Sequence, residues 1–294
     1  LPPVIRHSSF VILAAMKPVL EVLQSTTTYF QQKKIDSPRL NIEHLLAHVL
    51  GKTRMDLYLE FDRPLGDREL DALRELVRRR ASGVPLQHLL GTVEFHGRTF
   101  ASDARALIPR PETEQLVELL LQLPLPPDAR CVDVGTGSGV IALTLAAERP
   151  LATIAAVDVS PAALELAREN AGRLDLAERV QFHSGSLLEP CPGTYDLIAA
   201  NLPYIATADI AGLAAEVRHD PVSALDGGSK GLDLIAVCIT QAPAKLNPGG
   251  WLALEIGASQ AGPVRTLLGA AGFGEVRVLQ DYQGIERFVL APRG

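Results

Sequence analysis

Between residues 16 and 90 apolar positions recur at helical spacing. In the stretch 42–50, Ile42, Leu45, Leu46 and Val49 fall on one face, and Gly51 follows where a helix C-cap would stand. Leu70, Leu73, Leu76 and Val77 form a second such face after Asp67, which is expected to cap a helix running to Arg80. These patterns predict a small helical bundle. At residue 91 the period changes: the stretch 93–100 alternates like a strand of a hairpin and leads into Leu107-Ile108-Pro109-Arg110-Pro111-Glu112-Thr113-Glu114. The prolines on either side of Arg110 hold that backbone extended, and Glu112 and Glu114 then open a helix that Leu123-Pro124-Leu125-Pro126-Pro127 ends. From about Asp128 strand and helix alternate. Strands are expected over 130–134, 153–157, 180–183, 195–200, 251–256, 275–279 and 286–290, with a helix from Val140 and another over 162–172 after Ser160-Pro161. This order predicts an α/β fold with a doubly wound sheet, helices on both faces and a final antiparallel hairpin around 281–284.

Composition adjusts this outline. At 294 residues and 47% hydrophobic content the chain is long for one domain and can bury a substantial core, so two domains are expected. A net charge of -6 argues against broad adhesion to nucleic acid. The cysteines, Cys131, Cys191 and Cys238, are odd in number and widely spaced, which indicates neither a disulfide framework nor a zinc knuckle and fits a reducing cytosol. The apolar run 10–16 is too short to span a bilayer and, with only Arg6 and His7 before it, is weak as a secretory signal. Because the first methionine is Met16, residues 1–15 are expected to be an upstream extension or a poorly ordered tail. His44 and His48 have the spacing of a metal pair, but no third ligand accompanies them, which favours packing or surface roles. Arg78, Arg79 and Arg80 are expected to form a solvated helix end, where cations suit the dipole.

Chemistry concentrates in the second half. In Gly135-Thr136-Gly137-Ser138-Gly139, three glycines let the backbone turn sharply between a strand and a helix whose first N–H groups are unpaired. Asp158, at the end of the next strand, can accept hydrogen bonds from a ribose diol, which points to adenosine. No Gly-Lys-Ser/Thr follows the loop, and its third glycine comes one residue early for the dinucleotide fingerprint. Asp133, just before the loop, would face a cationic or amino-bearing ligand, which favours S-adenosylmethionine over a pyrophosphate. The strand beginning at Tyr195 ends on Asn201-Leu202-Pro203-Tyr204: an amide that donates and accepts, a proline that forbids further pairing, and a flat ring.

Asp133 with the glycine loop, Ala156-Val157-Asp158 and Asn201-Leu202-Pro203-Tyr204 together resemble class I S-adenosylmethionine methyltransferases that modify a planar nitrogen. Pro85-Leu86-Gln87-His88-Leu89-Leu90-Gly91, Phe95-His96-Gly97, the Ile108-Pro109-Arg110-Pro111-Glu112-Thr113-Glu114 connector, Glu216-Val217-Arg218-His219-Asp220-Pro221 and Gly227-Gly228-Ser229-Lys230-Gly231-Leu232 narrow this. With them, the sequence from Met16 onward resembles the peptide chain release factor glutamine methyltransferases, the PrmC/HemK family. The resemblance implies a Rossmann-like methyltransferase sheet and methyl transfer to the side-chain amide nitrogen (N5) of the glutamine in the Gly-Gly-Gln loop of a release factor. It also implies a cytoplasmic enzyme without metal, acting on a protein partner and not directly on nucleic acid or membrane. The domains expected are a tail over 1–15, a helical substrate-recognition domain over 16–90, a hairpin and connector over 91–127, and a cofactor-binding catalytic domain over 128–294.

Under this resemblance Asp133, Gly135, Thr136, Gly137, Ser138, Gly139, Asp158, Ser186, Leu187 and Asn201 hold the cofactor. Asn201, Leu202, Pro203 and Tyr204 hold the substrate and carry catalysis. The Asn201 side-chain oxygen and the Leu202 carbonyl would take the two N–H groups of the substrate amide, Pro203 would stiffen the turn, and Tyr204 would pack on the amide plane. Two departures stand out: the family usually has proline where this chain has Leu202, and an acidic and an aromatic residue where it has Ser186 and Leu187. Arg110 and His219 are expected mainly in structural ion pairing. Two other readings are weighed. Asn-Leu-Pro-Tyr also resembles the motif of adenine-N6 methyltransferases of RNA or DNA, against which the acidic net charge stands. An inactive cofactor-binding interaction module is opposed by the intact Asn201, Pro203 and Tyr204.

Overall fold

A computed structural model describes residues 17–294; the expectation for residues 1–15 lies outside the described residues. Five helices occupy the first part of the chain: α1 (Val19–Gln32), α2 (Pro38–Leu50), α3 (Arg54–Leu59), α4 (Asp67–Ala81) and α5 (Leu86–Leu90). Their apolar faces meet in a core that includes Phe30, Ile42, Leu45, Leu46, Leu57 and Leu73. Gly51 caps α2 in the left-handed conformation, as its spacing predicts. Asp67 does not cap α4. It is the first helical residue, and the Glu69 carboxylate accepts the Gly66 N–H instead (2.8 Å). The arginine run also departs from expectation, because Arg80 falls seven residues after Leu73 and turns inward. It is buried and donates through Nε to Asn41 Oδ1 (2.6 Å), while Arg78 and Arg79 remain exposed.

The chain divides into two compact units between Leu90 and Gly91. The second unit opens with a complete hairpin, β1 (Thr92–Phe95) and β2 (Arg98–Ala101), rather than a single strand over 93–100. His96 and Gly97 both take positive φ, the conformation a two-residue hairpin turn requires. Phe95 and Phe100 meet edge to face beneath it, with centroids 5.9 Å apart. Pro111 then starts α6 (Pro111–Gln122) at the position where a missing N–H costs nothing.

The strands β3 (Arg130–Val134), β4 (Thr153–Asp158), β5 (Val180–Ser184), β6 (Tyr195–Asn201), β7 (Leu246–Glu255), β8 (Arg277–Gln280) and β9 (Glu286–Pro292) form one sheet in the order β5-β4-β3-β6-β7-β9-β8. The first five pair in parallel, and β9 runs antiparallel to both β7 and β8. Side chains alternate between two cores. Cys131, Ile154, Leu197 and Trp251 join α6 and α7 (Val140–Glu148), whereas Val132, Val157, Ile198 and Leu252 join α9 (Asp233–Lys245) and α10 (Ala261–Ala270). The sequence pattern does not single out α9 and α10, because Pro243, Gly262, Pro263 and Gly269 interrupt it. No helix among the described residues is long and apolar enough to cross a membrane.

One buried polar side chain locks the hairpin to the sheet. Asn170, in α8 (Pro161–Arg173), accepts the Ala101 N–H (2.7 Å) and donates to Ala101 O (3.2 Å) and Ser138 O (2.9 Å). It thereby ties β2 to the glycine loop. Asn170→Leu would leave these backbone groups without partners, so urea denaturation should show a loss of about 3 kcal/mol. A loss below about 1 kcal/mol would mean that the hairpin is held by its apolar contacts alone.

Candidate functional site

Strand order reverses between β3 and β6, so the loops leaving their carboxyl ends diverge and open a crevice, the place where open α/β sheets bind ligands. The register Val134↔Ala200 brings Gly135 beside Asn201. A cavity of about 240 Å³ lies there. Its walls include Gly135 to Ser138, Asp158, Gly185 to Leu187, Asn201 to Pro203 and the connector residues Leu107, Pro109 and Thr113. The structure thus gathers the glycine loop, Asp158, Ser186, Leu187 and Asn201, which lie far apart in sequence.

The loop is held from both sides. The Gly135 and Thr136 N–H groups donate to Val157 O (2.8 and 2.9 Å), and the Gly137 N–H donates to Asp158 Oδ2 (2.9 Å). Asp158 Oδ1 accepts the Ser160 N–H (2.8 Å), which fixes the carboxylate at the cavity wall. A carboxylate has about four acceptor positions, so Asp158 keeps capacity for the hydroxyls of a ribose. Gly135 adopts φ +74°, and a Cβ there would lie 3.0 Å from the Leu202 side chain. Leu202 therefore packs its buried side chain against the loop as well as offering its carbonyl.

Three expected site residues sit differently from a simple ligand-facing arrangement. Asp133 is fully buried and does not line the cavity; its Oδ2 accepts from Thr136 Oγ1 (2.6 Å) and the Ala142 N–H (3.1 Å), while Oδ1 has no partner. It clasps the loop onto α7 from behind. Gly139, at φ +85°, is the residue before α7 and also lies outside the cavity walls. Tyr204 lines a neighbouring open depression with Ile205, Lys230, Leu232 and Gln260, and Gln260 Nε2 donates to the Tyr204 carbonyl (2.9 Å). Burial first, and then Glu255, pushes the Tyr204 phenol up to about 12, so it remains a neutral ring near pH 7.

Residues outside the expected set hold the walls in place. Asp220, buried, accepts the Ile108 N–H (3.1 Å) and pairs with Arg110 (2.5 Å), so a loop after β6 grips the connector; His219 beside it is exposed. Thr113 stands between Asn201 and Glu255, accepting from Asn201 Nδ2 (3.0 Å) and donating to Glu255 Oε2 (2.8 Å). Gly231 lies so close to the Tyr204 carbonyl that a Cβ would overlap it. The motif that contains it thus presses on the backbone of the strand end.

Comparison with known proteins identifies the lineage. Residues 21–91 match the PrmC N-terminal domain, and residues 113–228 match the methyltransferase small domain. The release factor glutamine methyltransferase of Geobacter sulfurreducens is 45% identical over 92% of this chain and 95% of its own length. The chain belongs to the release factor glutamine methyltransferase family. The relative of the same name from Chlorobaculum tepidum is 42% identical over the same shares of the two chains. Among solved structures, a methyltransferase from Pyrococcus furiosus (TM-score 0.53, 19% identity) covers 68% of this chain and 90% of its own. A T. thermophilus 16S rRNA methyltransferase in complex with AdoMet and guanosine (TM-score 0.51, 18% identity) covers 69% and 50%. These structures share the fold over about two thirds of this chain.

The Asp133 carboxyl carries a pH signature. Burial, with Asp158 nearby, pushes it up to about 7, against the hydrogen bonds from Thr136 and Ala142. Its folded value lies above its unfolded value, so its contribution to stability is present at low pH and is lost as pH rises through about 7. Asp133→Asn cannot undergo this loss. Thermal melts should show the variant gaining on the parent protein between about pH 5 and about pH 8; a difference constant across that range would contradict the assignment.

Proposed function

We propose that this protein transfers a methyl group from S-adenosyl-L-methionine to the side-chain amide nitrogen of the glutamine in the Gly-Gly-Gln motif of peptide chain release factors. The observation that carries this reading is the meeting of Asn201 and Leu202 with the glycine loop in one cavity, in a chain whose relatives are release factor glutamine methyltransferases. The residues present fit the cofactor: a polar loop with left-handed glycines, a fixed carboxylate at Asp158, and an apolar wall at Leu187 beside Ser186. Asp158 would take the ribose hydroxyls, Ser186 and Leu187 the adenine, and the loop backbone, backed by Asp133, the remainder. Among the described residues no group of three or more His, Cys, Asp and Glu side chains could hold a metal ion, and the proposed chemistry asks for none.

S-adenosylmethionine supplies a methyl carbon already activated by its sulfonium. The remaining problem is the nucleophile, because an amide nitrogen delocalises its lone pair into the carbonyl. The Asn201 side-chain oxygen and the Leu202 carbonyl would each accept one amide N–H, turning the lone pair toward the methyl carbon as the nitrogen pyramidalises. Orientation of this kind supplies up to roughly 7–11 kcal/mol in favourable systems. No strong base is needed, since the proton leaves after transfer. Pro203 stiffens the turn, and Tyr204, on the depression next to it, offers a neutral flat wall to the approaching loop. The helical domain before residue 91 is proposed as the part that recognises the rest of the release factor, in a cytoplasmic setting.

The test is incubation with labelled S-adenosylmethionine and, separately, a release factor, its Gln-substituted variant, or RNA. Label should appear on the unsubstituted factor alone. Label on the Gln-substituted factor would place the methyl group on another residue, and label only on RNA would favour the adenine reading; either outcome would contradict the proposal. Asn201→Ala should abolish transfer while cofactor binding is mostly kept, whereas Leu202→Pro should largely preserve turnover; equal loss in both variants would refute this division of labour.

A further inference from the structure

Asn201 can serve the proposed reaction only if its amide faces one way, and the structure contains a device that decides which. Glu255 ends β7 directly opposite Asn201 in the strand register and is 1% exposed. Thr113, in the first turn of α6, bridges the two: it donates to Glu255 Oε2 at 2.8 Å and lies 3.0 Å from Asn201 Nδ2. A hydroxyl has a single proton. Once that proton goes to the Glu255 carboxylate, the Thr113 oxygen can only accept, so Asn201 must turn its NH2 toward Thr113 and its oxygen elsewhere. Were the chain to run in reverse, from a protonated Glu255 through Thr113 to Asn201 Oδ1, the amide would present a donor instead. Two donors would then oppose each other at the substrate amide.

Resting on the glutamine-methylation reading, we infer that Thr113 and Glu255 are positioning residues that set the direction of this hydrogen-bond chain and so aim the Asn201 oxygen at the substrate N–H. In this role neither needs to touch the transferred methyl group. Arg287 on β9, Glu112 on α6 and Tyr204 also face Glu255, besides Thr113 and Asn201. Burial pushes the Glu255 carboxyl up to about 7, with Glu112 adding to the rise and Thr113, Arg287 and Asn201 opposing it. The productive direction is therefore complete above about pH 7 and fades as pH falls through that value.

The full chain, a release factor and labelled S-adenosylmethionine provide the test, with kcat, KM for the factor and cofactor Kd measured separately. Thr113→Val keeps the shape without the hydroxyl and should lower kcat by about tenfold or more, the rate equivalent of one hydrogen bond. Cofactor Kd should change by less than about threefold, because Thr113, although on the cavity wall, spends its hydroxyl on Glu255 and Asn201 and Val keeps its shape. Thr113→Ser, which restores the hydroxyl, should recover most of kcat. Glu255→Gln should lose the fall in kcat on the acid side. The inference is overturned by wild-type kcat in Thr113→Val, by equal impairment of Thr113→Ser, or by an unchanged acid limb in Glu255→Gln. Absence of methyl transfer to the glutamine by the parent protein is a separate result: it removes the proposed function and this inference with it.

Discussion

The parallel pairing of β3 with β6 is the constraint on which the rest of the site depends. It makes neighbours of two strand ends that the chain separates by more than sixty residues, Val134 opposite Ala200. Because the connections beyond them leave in opposite directions, the crevice is a result of topology, and the loops and connector around it supply its walls. The closeness of the two ends then dictates residue types. A left-handed backbone, with the Leu202 side chain 3.0 Å from where a Cβ would stand, makes any residue but glycine strained at 135. Leu202 in turn gives this chain an apolar contact on the loop.

Around that junction, buried polar groups hold the geometry that apolar packing alone would leave loose. Asp133 clasps the glycine loop to α7, Asn170 fastens the hairpin to the same loop, and Asp220 grips the extended connector through Ile108 and Arg110. Each acts through hydrogen bonds whose loss would strand a buried donor or acceptor. The connector between the helical region and the sheet is for this reason part of the site: Pro109 lines the cavity and Thr113 touches Asn201.

Much of this was legible in the sequence wherever a backbone demand forces a residue type. Glycines at left-handed positions, Pro161 after the Ser160 cap, Pro111 at the first turn of α6 and the strand end at Asn201 all announce themselves locally. The alternation of strands and helices likewise carried the sheet and its final hairpin. What stayed hidden depends on contacts between distant residues. Asn170 reads as an ordinary polar residue in a helix, and Glu255 as the end of a strand; their partners lie 69 and 142 residues away. The sequence points Asp133 toward a ligand, but its orientation was not legible, since only the folded loop shows that it faces Thr136 rather than the cavity. Arg80 misleads because a charged run suggests solvent, while helical spacing from Leu73 carries it into the interior.

The central claim is that this site methylates a glutamine amide. The most direct measurement is the mass of a Gly-Gly-Gln peptide from a release factor treated with the protein and S-adenosylmethionine, fragmented to locate any change. The account predicts a gain of one methyl group, confined to the glutamine side chain. A peptide of unchanged mass, or a methyl on any other residue, would contradict it.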